Sequence, residues 1–99
     1  MSTRGMSEGQ ADDEDLARRC IEDDEQAFAE LVFRYQDALL RLARRFAANP
    51  EDAEDLAADI FVRVWERRRQ YDPRRPFRPW LYQVGTNLCL NWLEARRAR

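Results

Sequence analysis

Residues 27–52, AFAELVFRYQDALLRLARRFAANPED, set the fold class. Phe28, Leu31, Val32, Tyr35, Leu39, Leu42, Ala43 and Phe46 recur at spacings of three and four. That period predicts an amphipathic helix of about six turns, with Arg34, Arg41, Arg44 and Arg45 on its other face. Asn49-Pro50-Glu51-Asp52 then marks a helix start: an amide to cap, a proline suited to the first turn, and two acids at the positive end of the helix dipole. The helix it opens reads AEDLAADIFVRVWERRR, with Ala53, Leu56, Ala57, Ile60, Phe61 and Val64 as its buried stripe. Asp55, Asp59, Val62, Arg63 and Glu66 are left for another face. Pro73, Pro76 and Pro79 are expected to end this helix and hold the next segment extended.

Pro79 can start a last helix, whose Leu81, Val84, Leu88 and Leu93 are expected to face the core. On the N-terminal side, Asp12-Asp13-Glu14-Asp15 opens a short helix with Leu16, Ala17, Cys20 and Ile21 on its apolar face. Asp23-Asp24 breaks it and can cap the next. Residues 1–10, small and polar, are expected to be disordered. No strand-like alternation and no internal repeat occurs. The expected fold is all-α: a compact bundle of three long helices and one short N-terminal helix.

Ninety-nine residues, 44% hydrophobic and 36% charged with three glycines, suit one small helical domain. The net charge of −2 conceals a strong asymmetry. Residues 1–33 carry three arginines against ten acids, and residues 48–62 carry five acids and no arginine. Residues 34–47 carry four arginines against one acid, and residues 63–99 ten against three. The basic end suits a polyanion and the acidic middle a basic partner. All seventeen cations are arginine, which taken alone supports nothing.

Enzymatic chemistry finds no foothold. The chain has no histidine and no glycine-rich phosphate loop, and its only hydroxyls besides tyrosine are Ser2, Thr3, Ser7 and Thr86. Cys20 and Cys89 stand far apart without the company a metal site needs, so no metal and no cofactor is expected. Reduced cysteines, with neither an apolar signal core nor a membrane-length apolar run, predict a cytoplasmic protein.

The most informative segment is residues 71–91, YDPRRPFRPWLYQVGTNLCLN. Arginines for phosphate, aromatic rings for stacking and amides for base edges lie interleaved in it. A solvated charge run would need only the arginines. Trp80 and Trp92 taken singly fit core packing as well. In the same way the acidic middle helix reads as either a solvated face or a docking face for a basic helix.

Three blocks in order, DEQAFAELVFRYQDALLRLARRF, NPEDAEDLAADIFVRVWE and RRPFRPWLYQVGTNLCLNWLEARR, resemble region 2 of an extracytoplasmic-function (group 4) sigma factor of bacterial RNA polymerase. The resemblance covers residues 12–99. It implies that the middle helix docks on the coiled coil of the polymerase β′ subunit through Asp55, Leu56, Asp59, Ile60, Arg63 and Trp65. It implies that the following loop and helix recognise the promoter −10 element and hold its non-template strand open. Tyr71, Arg74, Arg75, Phe77, Trp80, Gln83, Asn87 and Asn91 fall to that task, with Arg45, Arg96 and Arg97 on phosphates. Ala58 stands where the family usually has glutamine, and Gln83 and Thr86 where it often has basic residues. Residues 11–99 would form the region 2 domain, with the −35-binding domain absent from this chain. An anti-sigma factor is an expected partner. The alternative reading is a helical interaction module that binds polymerase or an anti-sigma factor without reading a promoter.

Overall fold

The first described turn begins at Asp12, whose carboxylate accepts the Asp15 backbone N–H at 2.8 Å and caps helix α1, Asp13–Ile21. The structure, a computed structural model, describes residues 11–98; the expected disordered tail, residues 1–10, lies outside them. At the end of α1 the chain reverses through Asp23, which takes a left-handed conformation at φ 67°. Asp24 then caps α2, Glu25–Arg44, by accepting from the backbone N–H groups of Gln26 and Ala27. Helix α3, Pro50–Glu66, starts as the sequence foretells: Asn49 accepts from Glu51 and Asp52, and Pro50 occupies the first turn.

Two boundaries differ from expectation. α3 stops at Glu66, well before Pro73, and a 3-10 turn at Arg68–Gln70 follows. Arg68 accounts for this stop. Its guanidinium lies over the Trp65 ring at 3.9 Å and donates to the Trp65 carbonyl and to Asp23, each at 2.7 Å. It thereby satisfies an orphan carbonyl of the helix end and ties that end to the α1–α2 turn. The last helix, α4, spans Phe77–Arg97 and so begins two residues before Pro79. Pro76 offers no side-chain cap; the Phe77 N–H donates instead to the Glu14 carboxylate of α1, at 2.7 Å.

α2, α3 and α4 pack around Leu39, Leu42, Leu56, Ile60, Leu81 and Cys89, and α1 closes the end of the bundle where α4 begins. Among the described residues every element is helical. The expected stripes are largely buried, though Phe28, Val32, Phe46, Phe61, Leu88 and Leu93 sit at its margin. At Gly85 the three long helices come close together. A Cβ there would meet Leu42 Cδ2 at 3.1 Å and Ile60 Cγ2 at 3.4 Å.

Candidate nucleic-acid interface

The loop between the 3-10 turn and α4 is built on an aromatic cluster. Phe77 stands edge-on to Tyr35 of α2 and to Tyr71, at centroid distances of 6.0 and 5.4 Å, and Trp80 leans on Tyr71 and Phe77 at 5.3 and 5.8 Å. Tyr71 is 4% exposed and Phe77 2%. These two rings therefore cannot stack on bases as the resemblance implies; they hold up the loop. Burial pushes the Tyr71 phenol up to about 12, with Glu14 adding to the shift. Its hydroxyl stays protonated and donates to the Arg75 carbonyl.

Asp72 organises the rest of the loop. Its carboxylate accepts from the Arg74 backbone N–H at 3.0 Å and from the Arg74 guanidinium twice at 3.1 Å. Its own carbonyl accepts the Arg75 N–H at 2.9 Å, closing a turn. The Arg74 side chain leads the forces that hold the Asp72 carboxyl below its ordinary range. The Arg74 and Arg75 side chains nonetheless remain 89% and 81% exposed. Behind them opens a recess of about 350 Å³, lined by Gln70, Asp72, Arg75, Pro79, Trp80 and Gln83 among others. A half-buried indole, an exposed amide and Arg75 in the lining, with Arg74 exposed beside it, can hold an unstacked base and its phosphates.

Not every expected nucleic-acid residue converges here. Asn87 is exposed one turn beyond Gln83. Asn91 lies about 12 Å from Gln83 along α4, and lines a different groove, between α3 and α4. Arg96 and Arg97 are about 24 Å from Trp80 by the same rise. Arg96 packs over the Trp92 ring and pairs with Asp52 at 3.6 Å. Arg45 lies on the opposite flank of α4, at the end of α2. Gln70, Asp72 and Pro79 were missed as recess residues, although an aspartate before Pro73 is a turn signal that the sequence does carry.

On α3, the exposed residues Asp55, Asp59, Val62 and Glu66 form one stripe, with Arg63 pairing Glu66 at 3.5 Å. The groove beside it, about 320 Å³, adds Leu88 and Trp92. Leu56 and Ile60 are in the core, 1% and 0% exposed, so they shape this helix without touching a partner. Trp65 turns to another flank, against Phe28 at 5.0 Å. Among the described residues no cluster of potential metal ligands occurs, and no helix is long and apolar enough to cross a membrane.

The sequence profile described as Sigma-70 region 2 matches residues 31–99. The chain is 37% identical over 87 residues to the RNA polymerase sigma factor NccH of Alcaligenes xylosoxydans xylosoxydans, covering 88% of this chain and 47% of that protein. It is 34% identical over 74 residues to the ECF RNA polymerase sigma factor SigW of Bacillus subtilis, covering 75% and 40%. The chain thus spans less than half the length of these relatives. Among solved structures, an engineered region 2 of sigmaE in complex with GTAAAA superposes with a TM-score of 0.81 at 31% identity, over 88% of this chain and 90% of that one. CnrH in complex with the cytosolic domain of CnrY gives 0.74 at 37% identity, over 80% and 51%.

Proposed function

Because the chain belongs to the Sigma-70 region 2 family, in its extracytoplasmic-function branch, we propose that its loop recess reads the promoter −10 element as an unpaired non-template strand. The family is one of transcription factors, not enzymes. The observation that carries the reading is the recess beside Trp80 and Gln83, with Arg75 in its lining and Arg74 exposed next to it in the loop. A base placed there gains stacking and amide contacts that a paired base cannot reach. Those contacts offset the few kcal/mol lost on unstacking. Opening is then selection of an already unpaired strand and needs no covalent step. That the sigmaE region 2 neighbour was solved with a six-letter strand supports the same use of this fold.

The stripe Asp55, Asp59, Glu66 with Val62 is assigned to the β′ coiled coil, by its acidic charge and its one exposed aliphatic. An anti-sigma factor is the third partner, supported by the CnrH–CnrY neighbour. A polymerase partner supports the cytoplasmic location expected from the sequence.

Fluorescence anisotropy with labelled single strands of varied sequence, beside matching duplexes, tests the reading. A base-specific single-strand preference that Gln83→Ala, in the recess lining, weakens for some sequences more than others supports it. Arg74→Ala with Arg75→Ala should make the slope of log K against log salt shallower by about 1.4, two single-strand phosphate contacts' worth. Equal, weak binding to every strand would instead favour a protein-interaction module working through the α3 stripe alone.

A further inference from the structure

Asp12 caps α1 and Asp24 caps α2. Asp23, in the turn between the two helices, caps neither. Among the described residues it is the one position other than glycine with a positive φ, 67°. Glycine takes that conformation freely, whereas a side chain there costs conformational energy. Among the described residues the Asp23 carboxylate hydrogen-bonds only to Arg68 and Arg69, one oxygen accepting from both guanidiniums at 2.7 Å. A strained backbone position whose side chain has a single task points to that task.

Arg68 is the tight half of this clamp. Its side chain is 15% exposed, whereas those of Arg69 and Asp23 are 59% and 58% exposed. An exposed pair fixes little by itself, so the ordering effect runs through Arg68. Arg68 also donates to the Trp65 carbonyl, and it lines a small cavity together with Cys20, Tyr71, Phe77 and Trp80. Tyr71 and Trp80 line the loop recess as well. The Arg68 Nε is buried and finds no acceptor among the described residues. Burying a donor unpaired is unfavourable, so Arg68 gains by swinging out to water once its other ties are cut. Arg68 and Arg69 are the first two residues of the 3-10 turn, and the third, Gln70, lines the recess. The far end of the loop is held from α1 too, since Glu14 accepts the Phe77 N–H. Glu14 lies in the first turn of α1 and Asp23 just past its last, so one short helix braces both ends of the loop.

We propose that Asp23 is a specificity-determining positioning residue for the loop recess. Its carboxylate keeps Arg68 against Tyr71 and Trp80 and fixes Gln70 at the recess wall, without touching a base. The proposal rests on the reading of that recess as the single-strand site. Charge alone predicts another outcome: a carboxylate near a basic loop repels phosphates, and its removal would tighten every strand alike. Positioning predicts that its removal makes the affinities of different strands converge.

The test measures the intact chain, Asp23→Asn and Asp23→Gly by anisotropy over a panel of labelled single strands, with melting temperatures alongside. Glycine keeps the left-handed turn and removes the carboxylate; asparagine tolerates the turn and retains one neutral acceptor. The ratio between best- and worst-bound strands should shrink about fivefold in Asp23→Gly, as for residues coupled in one ion-pair network, and less in Asp23→Asn. Adding Arg68→Gln to Asp23→Gly should shrink it no further. A uniform shift of all strands, or an unchanged ratio in both variants, overturns the proposal. If Asp23→Gly melts at a lower temperature, Asp23→Asn decides by the same ratio. Hydrogen exchange gives a readout without DNA. The Gln70 and Tyr71 amides, which donate to the Arg67 and Arg68 carbonyls, should exchange faster in Asp23→Gly while those at the centres of α2 and α3 do not. Unchanged exchange at Gln70 overturns the clamp. If the intact chain binds every strand equally, the recess reading fails and the specificity role with it. A graded panel in the intact chain with unmoved variants sinks the positioning role alone.

Discussion

Asp72 keeps Arg74 and Arg75 from pointing at random into solvent. Its carboxylate occupies the guanidinium positions that a DNA phosphate would take, so the proposed strand binding would be an exchange of one anion for another. Asp72→Asn removes the competing charge and weakens the turn that aims both arginines. The expected outcome is tighter single-strand binding at low salt with a smaller spread of affinities across sequences, read by anisotropy over a strand panel. An unchanged spread would mean that Asp72 does not aim the reading. The cysteines behave oppositely to reactive thiols. Burial raises Cys20 and Cys89 to about 11 from an ordinary 9.0, and Tyr35 and Tyr71 to about 12 from 10.0. The unfolded chain gives up these protons first. The stability they contribute is therefore intact below about pH 9 and lost as pH rises from about 9 to 12. Urea unfolding midpoints should hold steady up to that threshold and fall beyond it; a midpoint insensitive to alkali would show these groups exposed.

At the scale of the element, Gly85 sets how closely α4 lies on α2 and α3. Alanine there would gain helix propensity of about 1 kcal/mol against one tight contact with a leucine methyl. Valine adds branches toward both Leu42 and Ile60. Gly85→Val should cost about 1–3 kcal/mol of stability by overpacking, measured by denaturant titration. A neutral result would mean the helices can separate there without penalty. Legibility in the sequence divides along the same lines as the contacts. The start of α3 was readable because Asn49, Pro50 and the residues they satisfy are neighbours in the chain. The start of α4 was not, because its first N–H is capped by Glu14, 63 positions earlier. Tyr71 and Phe77 look solvent-facing among arginines and prolines. They are buried because Tyr35, on α2, and Trp80 complete a cluster that no local pattern announces. Arg74, Arg75, Trp80 and Gln83 could be picked out from composition, since stacking, charge and amide chemistry sit side by side there. The α3 stripe was legible from helical spacing, which gives Asp55, Asp59, Val62 and Glu66 and buries Leu56 and Ile60; only the resemblance put those two on the docking face.

Across the whole molecule, the groove beside the acidic α3 stripe and the loop recess share no residue, so the proposed polymerase and DNA contacts need not compete. Asp55→Asn with Asp59→Asn should weaken binding of a β′ coiled-coil fragment by about tenfold, or roughly 1.4 kcal/mol, and leave single-strand anisotropy unchanged. Loss of both activities together, with a lowered melting temperature, would show damage to the fold instead. The bond from the Phe77 N–H to Glu14 carries a further consequence, in the order of assembly. α2 and α3 are consecutive, joined by a short turn, and can pair as soon as both have been synthesised. The loop recess needs α1 and the start of α4 together, a closure across 63 residues. Contacts that distant form late, after the local hairpin has condensed. On the function proposed above, a growing chain would acquire its acidic docking stripe on α3 before its reading loop takes shape, and a partner arriving early would meet a protein that can be held but cannot yet read.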